Sequence, residues 1–466
     1  MGARCLLAVV ATLTTLTLQA GAAPAGQTSP LFSSYDVIAL KLEAPFNDLF
    51  AHTRSAASPE YAVTGKLTYT DGGREVTVDG VKVAVRGNTS RRETECAFPK
   101  LKVQLPAGAP ASALLSGITS LKIGTHCGES AGDSLTAKYG RLSNQQSPLR
   151  EAFVYRLLES VGVPTLKARP AKVTYVYSDA RPGQSPPQEQ PIIRNAMLLE
   201  DVDEAVKRFG GVREIEEKAF TNAKAQFTAA DTARVAFAEA MIGNFDWCLK
   251  MTADDAYRCN ARHPLWNIVA AASADGKARP LMHDFDVAGM VAGSHAWFKT
   301  VFNGEFVPSR SQTEIEVLAQ VQRTRVLFSR AELDAARADF VKRKSDAYRA
   351  LDGATIDAAG KRRAQEYLDA FYMAIGSDDA FYRPVVTTEG ARLYANKDRA
   401  VVCSSRGVIP VGTPVSAPLQ TEGTVIQVHV LDALWYWTEP ARCPAVREGP
   451  VWIDADAVGK DFPKGT

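Results

Sequence analysis

Acidic and amide side chains with the order of a phosphoryl-transfer site lie between residues 242 and 286. Asp246 follows an apolar stretch that predicts a helix, Asn267 begins a strand pattern, and Asp284 and Asp286 follow the next strand pattern. Carboxylate and amide oxygens are the hard ligands that Mg²⁺ prefers, and a separate carboxylate can orient an attacking hydroxyl. These residues are therefore the first candidates for the chemistry of this chain.

A basic strand could supply the opposite charge. Residues 100–105 (KLKVQL) alternate between polar and apolar side chains. This alternation places Leu101 and Val103 on one face of a strand, and Lys100 and Lys102 on the other. The two lysines point the same way. They form either the solvent-exposed face of an ordinary strand or a binding site for phosphate.

The elements around these residues change character along the chain. Alternating patterns such as 62–69 and 76–86 predict hairpins of one antiparallel sheet, and residues 149–161 carry a helical apolar stripe. From Glu200 to Tyr382 the pattern is mainly helical. The fold class is therefore α+β, with a sheet-rich first part and a helix-rich second part.

Two further patterns organise the second part and the end of the chain. A hairpin from Ile268 to Met282, turning at 275–276, would connect Asn267 to Asp284. Short strands from Pro384 onward predict a small barrel. That barrel resembles bacterial SH3-like domains, whose last strand it matches only loosely.

The first residues have the pattern of a secretory signal peptide: Arg4, an apolar run and small residues up to Ala22. The apolar run is shorter than the roughly 20 residues that a bilayer span requires, which argues against a membrane anchor. A secreted or periplasmic protein, cleaved after Ala22, is expected. The predicted units are the signal peptide 1–22, a linker 23–34, a β-rich lobe 35–200, a mainly helical lobe 201–383 and the small barrel 384–466.

Six cysteines remain after the signal peptide. An even number in an exported chain favours disulfides, and proximity in sequence favours three local pairs, although six cysteines allow 15 pairings. Zinc is disfavoured because no C-x-x-C pair is present and the six histidines do not cluster near the cysteines. The expected pairs are Cys96 with Cys127, Cys248 with Cys259, and Cys403 with Cys443.

Net charge and missing motifs exclude several other functions. The formal charge of +2 gives no global attraction to nucleic acid or anionic membrane. The chain has no G-x-S-x-G elbow, no H-E-x-x-H helix and no Walker lysine loop, so hydrolase and P-loop functions have no motif to support them.

Six short motifs, in order, resemble the CotH kinase family of secreted and spore-coat proteins, whose fold is an atypical two-lobe protein-kinase fold. The motifs are RGNTS (86–90), FPK (98–100), the helix 149–164, MLLEDVDE (197–204), NFDW (244–247) and HDFD (283–286). The similarity covers roughly Arg86 to Gly289. It implies that the β-rich lobe binds ATP and that the helical lobe carries the catalytic and metal loops.

The resemblance also implies a role for individual residues. Lys100, or as second choice Lys102, would grip the nucleotide phosphates, and Glu151 would hold that lysine through an ion pair. Asp246 would be the catalytic-loop aspartate that orients or deprotonates the substrate hydroxyl. On the simpler alternative, Asp246 only caps a helix.

Metal and phosphate ligands follow from the same resemblance. Asn267 and Asp284 would bind Mg²⁺ or Mn²⁺, with Asp286 as a possible second carboxylate, whereas a purely local interpretation puts Asp284 in a turn. The cofactor-binding set is completed by residues from the RGNTS segment and from the 197–204 motif: Arg86, Asn88, Thr89, Ser90 and Glu200.

Two departures from the kinase pattern bear on these roles. Asp246 and Asn267 are separated by an insertion that contains Cys248 and Cys259, whereas kinases place the asparagine five residues after the aspartate. No G-x-G-x-x-G loop precedes Lys100, so the RGNTS segment must contact phosphate through backbone groups and hydroxyls.

The sequence thus predicts an exported kinase-like protein that transfers phosphate from ATP to a hydroxyl of an extracytoplasmic protein. One alternative is a catalytically inactive scaffold that binds cell-envelope or surface components, with the C-terminal barrel as a possible contact. Another is transfer of the nucleotide instead of the phosphate. No nucleic-acid partner and no transmembrane segment are expected.

Overall fold

The computed structural model describes most of the chain after the predicted signal peptide. The described residues are 28–53, 61–108, 112–179, 190–252, 263–274, 276–293, 311–325, 327–400, 409, 411, 413, 415–430 and 449–460. The predicted cleavage site, Cys259, Cys403, Cys443 and the predicted strand at 434–437 lie outside these ranges.

Seven strands of the first half form a closed barrel. They are β1 (Ile38–Ala44), β2 (Ala62–Asp71), β3 (Arg74–Val85), β4 (Leu101–Gln104), β5 (Ser120–Gly124), β6 (Ala168–Tyr177) and β7 (Ile192–Leu199). The strand order is β1-β2-β3-β4-β5-β7-β6, and β1 closes the barrel by pairing in parallel with β6. The predicted antiparallel pairing is confirmed from β1 through β4. The parallel pair of β1 and β6 was not predicted, because it joins strands that are far apart in sequence and leaves no local signal.

Alternation along these strands fills the barrel. In β1 the side chains of Leu40 and Leu42 are buried while Lys41 between them is exposed, and β4 repeats this pattern with Leu101 and Val103. These side chains belong to one apolar core. The sequence periodicity therefore predicts the inside of the barrel correctly.

The helices are α1 (Phe46–Thr53), α2 (Ser147–Ser160), α3 (Val202–Arg208), α4 (Ala223–Gln226), α5 (Ala229–Ile242), α6 (Gly289–Ala292), α7 (Gln312–Thr324), α8 (Arg330–Lys342), α9 (Lys344–Asp352), α10 (Ala358–Ile375) and α11 (Asp378–Phe381), with short 3-10 turns at Pro30–Phe32, Glu217–Ala219 and Ala455–Ala457. Side-chain caps fix several starts: Thr228 accepts from the N–H of Asp231 at α5, and Ser329 forms a capping box at α8. The predicted helix 149–161 is α2, displaced by one or two residues.

Helix α2 connects the barrel to the helical half. Its apolar side chains, including Phe153 and Leu157, pack in the core formed with α5 and α10. Its two charged residues, Arg150 and Glu151, are also buried. A helix that is buried on nearly all sides holds its polar groups in fixed positions, and this places Glu151 beside the residues that follow Met282.

The predicted hairpin between Asn267 and Asp284 is present. Strands β11 (Ile268–Ala272) and β12 (Ala278–Met282) pair antiparallel, and β8 (Arg213–Ile215) adds a third strand beside β11. A separate two-stranded sheet joins β9 (Cys248–Leu249) to β10 (Leu265–Trp266). The pairing of β9 with β10 returns the chain to Asn267 after the insertion.

The C-terminal part forms two small sheets in its described residues. One pairs β13 (Val385–Val386) with β17 (Val458–Gly459), and the other has the order β14 (Gln420–Glu422), β15 (Val425–Val428), β16 (Val451–Asp454). Their core includes Ala319 of α7, and Phe245 packs against it. This part is therefore joined to the helical half, and the SH3-like barrel stays a prediction.

One predicted disulfide is present, between Cys96 and Cys127, with their Cα atoms 4.4 Å apart. Cys248 is also disulfide-bonded. Its expected partner and the third predicted pair lie outside the described residues. Among the helices of the described ranges, none is both long and apolar enough to cross a membrane.

Candidate active site

Lys100 lies at the junction of the barrel and the helical half. It immediately precedes β4, where its carbonyl accepts a hydrogen bond of 2.8 Å from the N–H of Arg86. Its Nζ lies 2.7 Å from Oδ1 of Asp284 and 2.9 Å from Oδ2 of Asp286. The structure thus brings the predicted phosphate-binding lysine and both predicted metal carboxylates into direct contact. Lys100 and Asp284 are 184 residues apart in sequence.

Lys102 lies on the same strand face but in a different environment. It is exposed, whereas Lys100 is buried beneath the 283–286 segment. Across the sheet Lys102 pairs in register with Lys122 of β5, whose Nζ is 3.5 Å from Oδ2 of Asp201. Lys102 is therefore exposed on a part of the strand whose neighbour pairs with Asp201, and it is not a partner of Asp284 or Asp286 in the ion pairs of the described residues.

Helix α2 holds the segment that carries the two aspartates. The N–H of Asp284 donates to the hydroxyl of Tyr155 at 2.9 Å, and the N–H of Phe285 donates to Oε1 of Glu151 at 3.3 Å. Asp284 has a φ of +63°, a left-handed conformation that few residues other than glycine adopt. The two α2 contacts stabilise this turn and aim the carboxylate at Lys100.

The predicted ion pair between Lys100 and Glu151 is wrong as a direct contact. Lys100 bonds to the two aspartates, while the Glu151 carboxylate accepts from the backbone and acts on Lys100 only through its charge. Glu151 instead holds the backbone of Phe285, the residue between the two aspartates that bond Lys100.

Burial and opposite charges compete in this cluster. Burial favours neutral Lys100, but the charges of Asp284, Asp286 and Glu151 outweigh it and raise the lysine pKa. Burial likewise opposes ionisation of Asp284, yet the charge of Lys100 and its hydrogen bond lower the pKa of that carboxyl. For Glu151 burial wins over Lys100 and raises the pKa to about 7. Lys100 and Asp284 therefore form a stable ion pair, and Glu151 is the group that can change charge near neutral pH.

A separate turn after α5 positions Asp246. The helix ends at Gly243, whose φ is +65° and where a Cβ would lie 2.1 Å from the Tyr367 ring, so only glycine fits. Buried Asn244 then accepts from the N–H of Asp246 at 3.0 Å and donates to Oε2 of Glu239 at 2.9 Å. The loop is fixed by its own buried side chains.

Asn267 and Trp266 hold the Asp246 side chain. Nε1 of Trp266 donates to Oδ1 at 3.1 Å, and Nδ2 of Asn267 donates to Oδ2 at 3.1 Å. Burial, followed by the charges of Asp286 and Asp284, raises the pKa of Asp246. The insertion after Asp246 therefore does not separate the pair, and the amide oxygen of Asn267, whose nitrogen faces Asp246, is turned toward the other side.

The RGNTS segment connects β3 to the turn before Cys96. Gly87 has a φ of +90°, and a Cβ there would lie 2.4 Å from Oγ of Ser90, so the tight turn needs glycine. Ser90 is buried, Asn88 is exposed and Arg86 is half-buried. Arg86 acts electrostatically on Lys100, Asp284 and Glu151. Arg86 is therefore the residue of this segment whose charge acts on Lys100 and the acids around it.

Glu200 has another set of partners. Its carboxylate accepts from Arg208 at 2.7 and 2.9 Å and from the N–H of Lys167 at 2.8 Å. These contacts connect the end of β7 to α3. The side chain of Glu200 is thus occupied within the fold, and only the backbone around it is left for a cofactor.

Sequence reasoning missed Arg141 and Glu95. Buried Arg141 donates through Nε to Oδ2 of Asp286 at 2.8 Å, through Nη1 to Oε1 of Glu95 at 3.0 Å and through Nη2 to Oγ1 of Thr89 at 2.8 Å. The loop that carries Arg141 has no periodicity, so no sequence signal could have selected it. Lys122 was also missed, although it is the one charged residue within β5 and lies across from Lys102.

The oxygen ligands at this site are of the kind that bind a metal ion together with a substrate phosphate. Among the described residues, no group of three or more His, Cys, Asp or Glu side chains is arranged to hold a metal by itself. Mg²⁺, however, is usually bound by one or two carboxylates together with substrate phosphates and water. The partly exposed carboxylate of Asp284 and the free side of the Asn267 amide are oxygens of that kind, so these two residues would hold the ion.

Comparisons with known proteins give little further support. No family model and no curated protein matches the chain. Among solved structures, the crystal structure of a Helicobacter pylori proinflammatory kinase, CtkA, aligns with 59% of this chain and 90% of that chain, at 10% identity and a TM-score of 0.32. A likeness this weak carries no weight for activity, and the functional proposal therefore rests on the geometry of the site.

Proposed function

We propose that this protein is an exported, CotH-like kinase that transfers phosphate from ATP, with Mg²⁺ or Mn²⁺, to a hydroxyl of an extracytoplasmic protein. The observation that carries the proposal is the contact of Lys100 with Asp284 and Asp286. A buried lysine from one half of a molecule, bonded to acids from the other half, can exchange a carboxylate for a phosphate oxygen.

The remaining groups fit the parts that phosphoryl transfer requires. Lys100 and Arg86 would neutralise the phosphates, and Asp284 with Asn267 would hold the metal ion, which stabilises negative charge on the transferred group when bound. Asp246 would orient the acceptor. Its raised pKa suits a group that must take up a proton.

The reaction balances with these residues alone. The acceptor oxygen forms a bond to the γ-phosphorus while the bond from that phosphorus to the β–γ bridging oxygen breaks, and ADP leaves. The proton of the acceptor hydroxyl passes to the carboxylate of Asp246, whose position is fixed by Trp266 and Asn267. The Cys96–Cys127 disulfide supports export, because such bonds persist in oxidising compartments.

The test is incubation of the mature protein, from Ala23, with ATP labelled on either the α- or the γ-phosphate, in Mg²⁺ or Mn²⁺. We expect γ-label in protein, reduced at least ~100-fold in Asp246→Ala and in Asp284→Ala. Asp352→Ala, an exposed aspartate at the end of α9, is the matched control and should retain full labelling.

Binding of a non-hydrolysable ATP analogue, measured by calorimetry on the same variants, separates the alternatives. Binding without transfer would identify a catalytically silent scaffold, and α-label in protein would identify nucleotide transfer. Absence of both binding and labelling in the wild type would refute the proposal.

A further inference from the structure

The two aspartates of the site have unequal surroundings. The Asp284 side chain is 37% exposed, and Lys100 is its salt-bridge partner. The Asp286 side chain is 5% exposed, and its Oδ2 is shared by Lys100 at 2.9 Å and Arg141 at 2.8 Å. Both carboxylates contact the same lysine, but of the two only Asp286 is bonded directly to a second, buried cation.

Arg141 is held so that it cannot easily leave Asp286. Its three nitrogens each donate to a different segment: Asp286 in the helical half, Glu95 before the disulfide, and Thr89 in the RGNTS loop. Glu95 also accepts a hydrogen bond from Thr136. Moving the guanidinium would leave buried Glu95 without its cation and buried Asp286 with Lys100 alone, which is costly.

The remaining oxygen of Asp286 is also informative. Its Oδ1 is buried and has no hydrogen-bond partner. An acceptor of this kind attracts a cation or a donor, and without the positive charge of Arg141 it would be a natural metal ligand beside Asp284. Asp286 therefore has an oxygen that could accept a metal ion, while the positive charge of Arg141 beside it disfavours binding of a cation there.

We propose that Arg141 is a positioning residue that reserves Asp286 as a charge-balanced anchor, so that Asp284 alone of the two aspartates binds the metal ion. This inference rests on the proposed function and deepens it, since it assigns one metal-ligating aspartate where the sequence suggested two. Through Thr89, Arg141 also ties the RGNTS loop to the same anchor.

The test uses the double variant Arg141→Met/Glu95→Gln, which removes one positive and one negative charge. Because the net charge is unchanged, any gain in metal affinity comes from freeing Asp286. Mn²⁺ titration of the nucleotide-free protein, followed by the paramagnetic signal of free Mn²⁺, should show at least ten-fold tighter binding in the double variant than in the wild type. Equal affinity within three-fold would overturn the inference.

A matched control comes from another buried arginine. Arg150→Met/Asp357→Asn likewise removes a buried arginine together with one bonded carboxylate, here partly exposed, in a network separate from Asp284 and Asp286, and should leave Mn²⁺ affinity as in the wild type. A similar gain in Mn²⁺ affinity in this control would mean that loss of any such ion pair increases Mn²⁺ binding. That result would also overturn the inference. Circular dichroism melts identify any variant that fails to fold, and Arg141→Lys, which keeps the charge, should restore Mn²⁺ affinity to within three-fold of the wild type.

A second arm includes the non-hydrolysable ATP analogue. Asp284→Asn should weaken Mn²⁺ binding at least ten-fold, and Asp286→Asn less than three-fold. Equal losses in both variants would refute the unequal roles. If the wild type binds no Mn²⁺ with the analogue, the proposed function fails, while the nucleotide-free arm still decides the role of Arg141.

Discussion

Two ion networks connect the loops of the barrel to the helical half, and they differ in how completely their acids are paired. In the first, buried Arg150 bonds both oxygens of Asp133 at 2.9 and 3.0 Å and both oxygens of Asp357 at 2.7 and 2.9 Å, and Arg363 adds a further bond to Asp133. Every carboxylate oxygen has a partner. Such a network is suited to hold two parts of a chain together.

The second network, around Lys100, is incomplete. It leaves Oδ1 of Asp286 buried without a partner, and burial raises the pKa of Glu151 to about 7. Unpaired acceptors and perturbed carboxyls cluster at functional sites because a ligand, when bound, completes them. In these two networks, saturation of the acids, more than burial of the ion pair, therefore separates a structural network from a candidate active site.

The largest effect is expected from Arg150→Met. It leaves Asp357 without its cation and Asp133 with Arg363 alone, so we expect the free energy of unfolding to fall by about 3 kcal/mol, the lower end for a broken buried pair because Asp133 and Asp357 are partly exposed. Denaturant unfolding followed by circular dichroism measures it. Affinity for the ATP analogue should not change.

Lys100→Met is the counterpart in the incomplete network. Arg141 still neutralises Asp286, and Asp284 is partly solvated, so the loss of stability should stay below about 2 kcal/mol. A larger loss than in Arg150→Met would contradict the distinction between the two networks.

An effect on stability of about the same size as that of Arg150→Met is expected from Cys96→Ala/Cys127→Ala. The bond closes a sequence separation of 31 residues, and its loss should lower the free energy of unfolding by roughly 3 kcal/mol, because the unfolded chain regains entropy. Because Glu95 directly precedes Cys96, the same variant should weaken binding of the ATP analogue. Unchanged unfolding under oxidising and reducing conditions in the wild type would contradict this.

The smallest effect concerns Glu204, another acid with a buried, unpartnered oxygen. Burial, followed by the charges of Asp201 and Glu200, raises its pKa to about 7. The folded state therefore holds the proton more tightly than the unfolded chain, so this stabilisation is present below about pH 4.5 and is lost as the pH rises to about 7. Glu204→Gln should gain roughly 1 kcal/mol at pH 8 after allowance for its partial exposure, and nothing at pH 4. An equal gain at both pH values would exclude titration as the cause.

The sequence alone determined the local elements and most of the residues that meet around Lys100. Alternation located β4 and its lysines, the helical stripe located α2, and the turn residues located the hairpin between Asn267 and Asp284. These features follow from periodic burial within a few neighbouring residues, which a sequence displays directly.

Only the tertiary structure decided which charges meet. It closed the barrel through the parallel pair of β1 and β6, gave Lys100 the two aspartates in place of Glu151, and brought Arg141 and Glu95 into the site. Coulombic partners are selected by distance in space after the chain has packed, and a loop arginine has no periodic position to reveal it. The different exposure and partners of Asp284 and Asp286 are therefore a property of the fold, although the two residues are identical acids in the sequence motif.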